Sequence, residues 1–109
     1  MNQVDVVEMI GSQLTQIDMA IARLAPSDPN AAELTALRRS LDQQQQLLVK
    51  QAFDDNTLQF QEAAKDLEAV NDSITDNIQK IDRIATEIDG VTRFLTSVTN
   101  LVTTASKLV

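Results

Sequence analysis

Apolar residues recur through the first quarter of the chain at Val7, Ile10, Leu14, Ile17, Ile21 and Leu24, in alternating steps of three and four. One side of an α-helix comes round every 3.6 residues, so the spacing predicts a helix with a narrow apolar seam over residues 3–25. Ala25-Pro26-Ser27-Asp28-Pro29-Asn30 stops it, because proline cannot continue the hydrogen-bond ladder and restricts the residue before it. Asp28 is placed to cap a second helix with Pro29 in its first position. That helix, predicted over 30–53, has a seam of Leu34, Leu37, Leu41, Gln44 and Leu48, with Leu47 alongside. In an antiparallel hairpin Gln44 and Gln45 come level with Gly11, whose small size leaves room for an amide; the alternative is that the glutamines face water at a thin spot in the seam.

Leu48 and the next seam residue, Phe60, are not a whole number of heptads apart, so a turn is expected at Asp54-Asp55-Asn56. From Phe60 the phase then holds almost to the end of the chain. One seam position takes Phe60, Leu67, Ile74, Ile81, Ile88, Leu95, Val102 and Val109; the other takes Ala63, Val70, Asn77, Ile84, Val91, Val98 and Ala105. Such a run predicts one helix over 56–107, about 75 Å long, with Gly90 tolerated inside it at a cost of about 1 kcal/mol against alanine. The stripe is widened by Ala64, Ile78 and Ala85 before Gly90 and by Phe94, Leu101 and Leu108 after it, so its two halves should meet different neighbours.

The expected fold is therefore all-α and a single domain over 1–109. An antiparallel hairpin of residues 3–53 is followed by a long heptad-patterned helix, giving a three-helix, coiled-coil-like bundle. A break at Gly90 would give four helices instead.

The three-helix arrangement carries a consequence. A hairpin with arms of about 23 residues covers the third helix only to about residue 78, which leaves Ile81, Ile84, Ile88, Val91, Phe94, Leu95, Val98, Leu101, Val102 and Leu108 facing water. Each is worth about 1.5–3 kcal/mol when buried, so they require another surface. Self-association is the first expectation, with Asn77, Ile81, Ile84, Ile88, Val91, Phe94, Leu95, Val98, Leu101 and Val102 forming the contact between copies. β-Branched residues at both seam positions favour bundles of three or four helices, or antiparallel pairing, and Asn77 is placed either like a buried polar residue that sets register or turned to solvent at the bundle rim.

Composition narrows the chemistry. The chain of 109 residues has neither cysteine nor histidine and only two glycines and two prolines. It thus lacks thiol and imidazole chemistry, the usual zinc ligands and a phosphate-cradling loop, and no catalytic, cofactor or metal site is expected. The net charge is −7, and residues 54–89 account for all of it, with ten acids against Lys65, Lys80 and Arg83. Glu62 with Asp66, and Glu68, Asp72 and Asp76 in steps of four, lie off the seam on the solvated side. An acidic surface argues against nucleic acid as a partner and suits a protein with a basic surface, such as the target of an inhibitor or immunity-type protein.

No secretory signal opens the chain and no run of about 18 apolar residues could span a membrane, which makes cytoplasm the default, with signal-independent secretion left open. Residues 91–109 could lie on a membrane surface, but their Thr- and Ser-rich face, two cations and lack of Trp and Tyr suit that poorly. The stretch from Ile17 to Leu47, with Ala25-Pro26-Ser27-Asp28-Pro29 between its helices, resembles the helix-turn-helix of type III secretion needle subunits. It covers less than a third of the chain, the C-terminal half departs from that family, and membership is not inferred from it.

Overall fold

A computed structural model describes residues 2–50, 56–75 and 84–106. They form four helices: α1 (Gln3–Ala22), α2 (Pro29–Lys50), α3 (Leu58–Thr75) and α4 (Ile84–Ser106). Strands are absent among the described residues.

Local chemistry accounts for most of the boundaries. Asn2 and Asp5 make a reciprocal capping box at the start of α1. The Asp5 N–H donates to Asn2 Oδ1 at 2.8 Å and the Asn2 N–H to Asp5 Oδ2 at 3.0 Å, which satisfies two donors that a helix start leaves free. At the other end, Arg23 and Leu24 donate their N–H groups three residues back, to Ala20 and Ile21, and tighten the last turn. Pro26 then sits second in a turn closed by the Asp28 N–H on the Ala25 carbonyl, at 2.9 Å. α2 begins at Pro29, and Asp28 Oδ1 accepts from the Asn30 N–H at 2.9 Å, as the sequence predicts for this cap. Thr57 supplies the side-chain oxygen at the start of α3, accepting from the Phe60 N–H at 3.2 Å. Asp54 and Asp55, proposed for that turn, lie outside the described residues.

α1 and α2 run antiparallel. Gln3 meets Leu48, Gln45 meets Val7 and Arg38 meets Asp18. α3 and α4 also run antiparallel, since the cleft between them brings Gln59, Glu62, Ala63 and Asp66 beside Ser97 and Asn100. α1 and α4 each lie against both α2 and α3, so the pairs α1/α4 and α2/α3 stand across the diagonals of a four-helix bundle. Gln13 bonds to Asn71, and from Lys50 to Leu58 the chain can stretch only about 28 Å. An α3 antiparallel to α1 would put Leu58 about 35 Å from the end where α2 finishes. α3 is therefore parallel to α1, and α4 to α2.

This corrects the single helix expected over 56–107. The bundle is 43 Å in its longest dimension, against about 75 Å for such a helix, and α4 lies beside α3. α3 and α4 are thus separate antiparallel helices, and Gly90, the break the sequence offers, is buried inside α4. The physical reason is burial. The apolar positions that outrun a two-helix cover find one in α2 and α3 once α4 turns back. The core gathers Val6, Ile10, Leu14, Ile17 and Ala20 from α1 with Leu34, Leu41 and Leu48 from α2. It is completed by Phe60, Ala64 and Leu67 from α3 and by Ile88, Val91, Phe94, Val98, Leu101 and Val102 from α4.

Candidate interaction surfaces

Six of the ten residues assigned to self-association, Ile88, Val91, Phe94, Val98, Leu101 and Val102, are buried in the chain's own core. Leu95 is partly buried against the same cluster. Ile84 opens α4, with its side chain outside the described part, and Asn77 and Ile81 lie outside the described residues. The premise of a seam left bare by a short hairpin therefore does not hold. The change in the wide side of the stripe has its counterpart in the two neighbours of α4, since Phe94 and Leu101 are both fully buried.

The acidic set fares differently. Glu62, Asp66, Glu68 and Asp72 are all exposed on α3, and Asp76 lies outside the described residues. At 100° per residue Glu62 and Asp66 fall towards α4, Glu68 and Asp72 fall on the other flank, and exposed Ala69 and Lys65 lie between them. Glu62 and Asp66 line a cleft of about 380 Å³ together with Gln59 and Ala63 of α3 and Ser97 and Asn100 of α4. None of these four acids forms an ion pair among the described residues. Asp18 does, with Arg38 at 2.6 Å, and Asp89 approaches Arg93 at 4.0 Å.

Beside Glu62 and Asp66, the stretch of α4 from Phe94 to Thr103 carries no charged residue. Thr92, Thr96 and Thr99 turn their hydroxyls onto the carbonyls of Ile88, Thr92 and Leu95, at 2.8, 3.0 and 2.9 Å. A hydroxyl donating to its own helix has little left to donate to a partner.

Two features escape the sequence reading. Gln13 is 1% exposed, faces the core between Ile10 and Ile17, and donates from Nε2 to Asn71 Oδ1 at 2.5 Å. Its Oε1, like that of Gln16, is buried without a hydrogen-bond partner. The signal was present in the spacing Val6, Ile10, Gln13, Ile17, Ala20, which a search limited to large apolar residues passes over. The second is apolar exposure near the start of α1, where Val4 and Val49, 63% and 65% exposed, join Val7 and Leu48 around a cleft of about 490 Å³. Both valines are off the seam, where only their apolar character marks them.

Gln45, by contrast, takes the placement beside Gly11, one of the two the sequence leaves open. Its Nε2 donates to the Val7 carbonyl at 3.1 Å and lies 3.4 Å from where a β-carbon on Gly11 would be. Among the described residues no cluster of three or more acidic side chains is arranged to hold a metal ion, and no helix is long and apolar enough to cross a membrane. No protein-family model matches the chain, and comparison with curated proteins and with solved structures returns no match either, so the likeness of residues 17–47 to needle subunits rests on that stretch alone.

Proposed function

We propose that this chain is a non-catalytic helical interaction protein whose working surface is the acidic outer face of α3, fitted to a protein partner with a basic surface. The observation that carries this reading is the set Glu62, Asp66, Glu68 and Asp72, exposed on both flanks of one helix and unpaired among the described residues. Acids already matched by internal cations contribute little to a partner; unmatched ones raise the local concentration of a cationic surface and orient it. The neighbouring face of α4 has little charge to compete for the partner.

The test uses a lysine- and arginine-rich peptide of about twenty residues as the probe, titrated calorimetrically against the whole protein. Glu62→Lys with Asp66→Lys should weaken binding about tenfold or more, while Glu8→Lys with Glu33→Lys, which changes net charge equally, should weaken it much less. Raising the salt until the Debye length falls below about 8 Å should weaken the wild type and narrow that gap. Equal losses in the two double variants would reduce the effect to net charge and defeat the reading.

The second reading is self-association through the seam of the C-terminal helix. Its support is the heptad phase, which passes without a skip from Phe60 to Val102. It requires α4 to leave its own chain, because the side chains concerned lie in that chain's core. Use of residues 91–109 at a membrane surface would require the same departure, and no further feature favours it.

A further inference from the structure

We propose that the buried pair Gln13 and Asn71 is a register lock, which fixes the lengthwise position of α3 and α4 against α1 and α2.

Three observations lead there. The first is that the apolar core repeats itself. Ile10 and Ile17 on α1, Leu41 and Leu48 on α2, and Phe60 and Leu67 on α3 are buried one heptad apart, and Val91 and Val98 do the same on α4. Sliding one hairpin along the other by a heptad, about 10.5 Å, therefore sets apolar side chains against apolar side chains again and gives up only overlap at the ends. The apolar residues alone choose weakly between such alignments.

The second is where that repetition is broken. Val6, Gln13 and Ala20 form one buried heptad column on α1, with Gln13 its polar member, and on α3 Asn71 stands one heptad after buried Ala64. The two amides meet, Gln13 Nε2 donating to Asn71 Oδ1 at 2.5 Å. A slide of one heptad in one direction brings Asn71 level with Ala20 and Gln13 level with Ala64. In the other direction Asn71 comes level with Val6. Either slide separates the pair. The third observation is what separation leaves behind. Gln13 Oε1 is already buried without a hydrogen-bond partner, so an alignment that also removes Asn71 leaves the whole amide unsatisfied. Losing the partner of a buried amide costs far more than making the bond gains. α1 and α3 also share the sparsest of the packed edges between helices, so this bond is set where packing constrains the alignment least. A lone polar pair in an apolar seam gives up some stability and excludes the other alignments.

The lock holds whichever partner the acidic face of α3 meets. The experiment traps disulfides in the full chain, which has no cysteine of its own. With Gln13 opposite Asn71, exposed Ser12 and Glu68 fall on facing flanks of α1 and α3, so Ser12→Cys with Glu68→Cys reads the described alignment. Ser12→Cys with Gln61→Cys, and Asp5→Cys with Glu68→Cys, read a slide of one heptad in the two directions. Under a mild oxidant the first pair should close, and the two slid pairs should stay below about one-tenth of it. Gln13→Val with Asn71→Ala gives each column the residue it carries one heptad earlier. In that background the protein should keep its helical circular dichroism while closure of the slid pairs rises about fivefold or more. A folded variant that still closes only the first pair overturns the proposal. So does one that loses its fold, since a lock sets alignment and is not what holds the core together. Ala64→Asn with Asn71→Ala moves the α3 amide by one heptad, and the favoured closure of Ser12→Cys should move with it from Glu68→Cys to Gln61→Cys. A folded protein that keeps the first closure after that move also overturns the proposal.

Discussion

The two hairpins of this bundle are specified by different means. In α1–α2 the chain is told where to turn by Pro26, Asp28 and Pro29, and polar side chains then tie the arms together. Gln45 reaches the Val7 carbonyl, Gln3 the Leu48 carbonyl and Arg38 the Asp18 carboxylate. In α3–α4 the joining sequence has neither proline nor glycine, and the pair is built on Phe60, Ala64 and Leu67 against Ile88, Val91, Phe94, Val98, Leu101 and Val102. The first hairpin has its geometry written locally. The second acquires its geometry from what must be buried, which any arrangement presenting the same surfaces would satisfy equally well.

That difference can be broken most severely at Phe94, which is fully buried on α4. Phe94→Ala should cost about 3–5 kcal/mol in urea or guanidinium unfolding, the transfer energy of the ring plus the cavity left behind. A loss below about 1 kcal/mol would mean that α3–α4 does not rest on its apolar seam. In the other hairpin the expected changes are smaller. Gly11→Ala should stabilise the protein by about 0.5–1 kcal/mol, because alanine is the better helix residue and its β-carbon meets Gln45 Nε2 at an ordinary contact distance of 3.4 Å. A measurable loss would show that Gln45 cannot shift, which makes the tie between α1 and α2 more rigid than described.

The smallest effect belongs to Asp18→Ala. The Asp18–Arg38 pair is well exposed, at 52% and 36% of the two side chains, and such pairs contribute about 0–1 kcal/mol. The hydrogen bond with Asp18 holds the Arg38 pKa above its ordinary value, against the opposing effect of burial. A cation whose pKa is raised by folding adds stability that persists below its unfolded value and is lost only as pH climbs through the folded one. For an arginine that window lies far into alkali, so the difference between Asp18→Ala and wild type should stay flat from pH 6 to 9 as far as Arg38 is concerned, with unfolding midpoints as the check.

Much of the architecture can be read from the chain where local and tertiary demands agree. The Leu34, Leu41 and Leu48 repeat is buried as its spacing requires, Pro29 opens α2, and the seam residues from Ile88 to Val102 do face a core. The reading failed at the passage from α3 to α4, because heptad phase reports which side of a helix is apolar and is silent on whether the helix continues. Ile74, Ile81 and Ile88 remain in phase whether the chain runs straight or reverses. Only the demand to bury Phe94 and Leu101 argues for reversal, and that demand is met equally by a second chain. Gln13 was missed for a related reason. Its environment is set by α3, more than fifty residues away, through Asn71. The acids of α3 were legible as a solvated set, while the cleft that Glu62 and Asp66 line depends on where α4 comes to rest.

The parallel pairing of α1 with α3 and of α2 with α4 has an electrical consequence. Every helix carries a macrodipole, equivalent to about half a positive charge at its N-terminus and half a negative charge at its C-terminus. At the end where α1 and α3 begin, two positive poles stand on one edge and the two negative poles of α2 and α4 on the other, and at the far end the edges are reversed. Asp5 in the first turn of α1 and Lys50 in the last turn of α2 each lie against a pole of opposite sign. The four dipoles thus nearly cancel along the bundle and leave only a short transverse moment at each end. The helix backbones themselves therefore contribute little net field along the bundle axis.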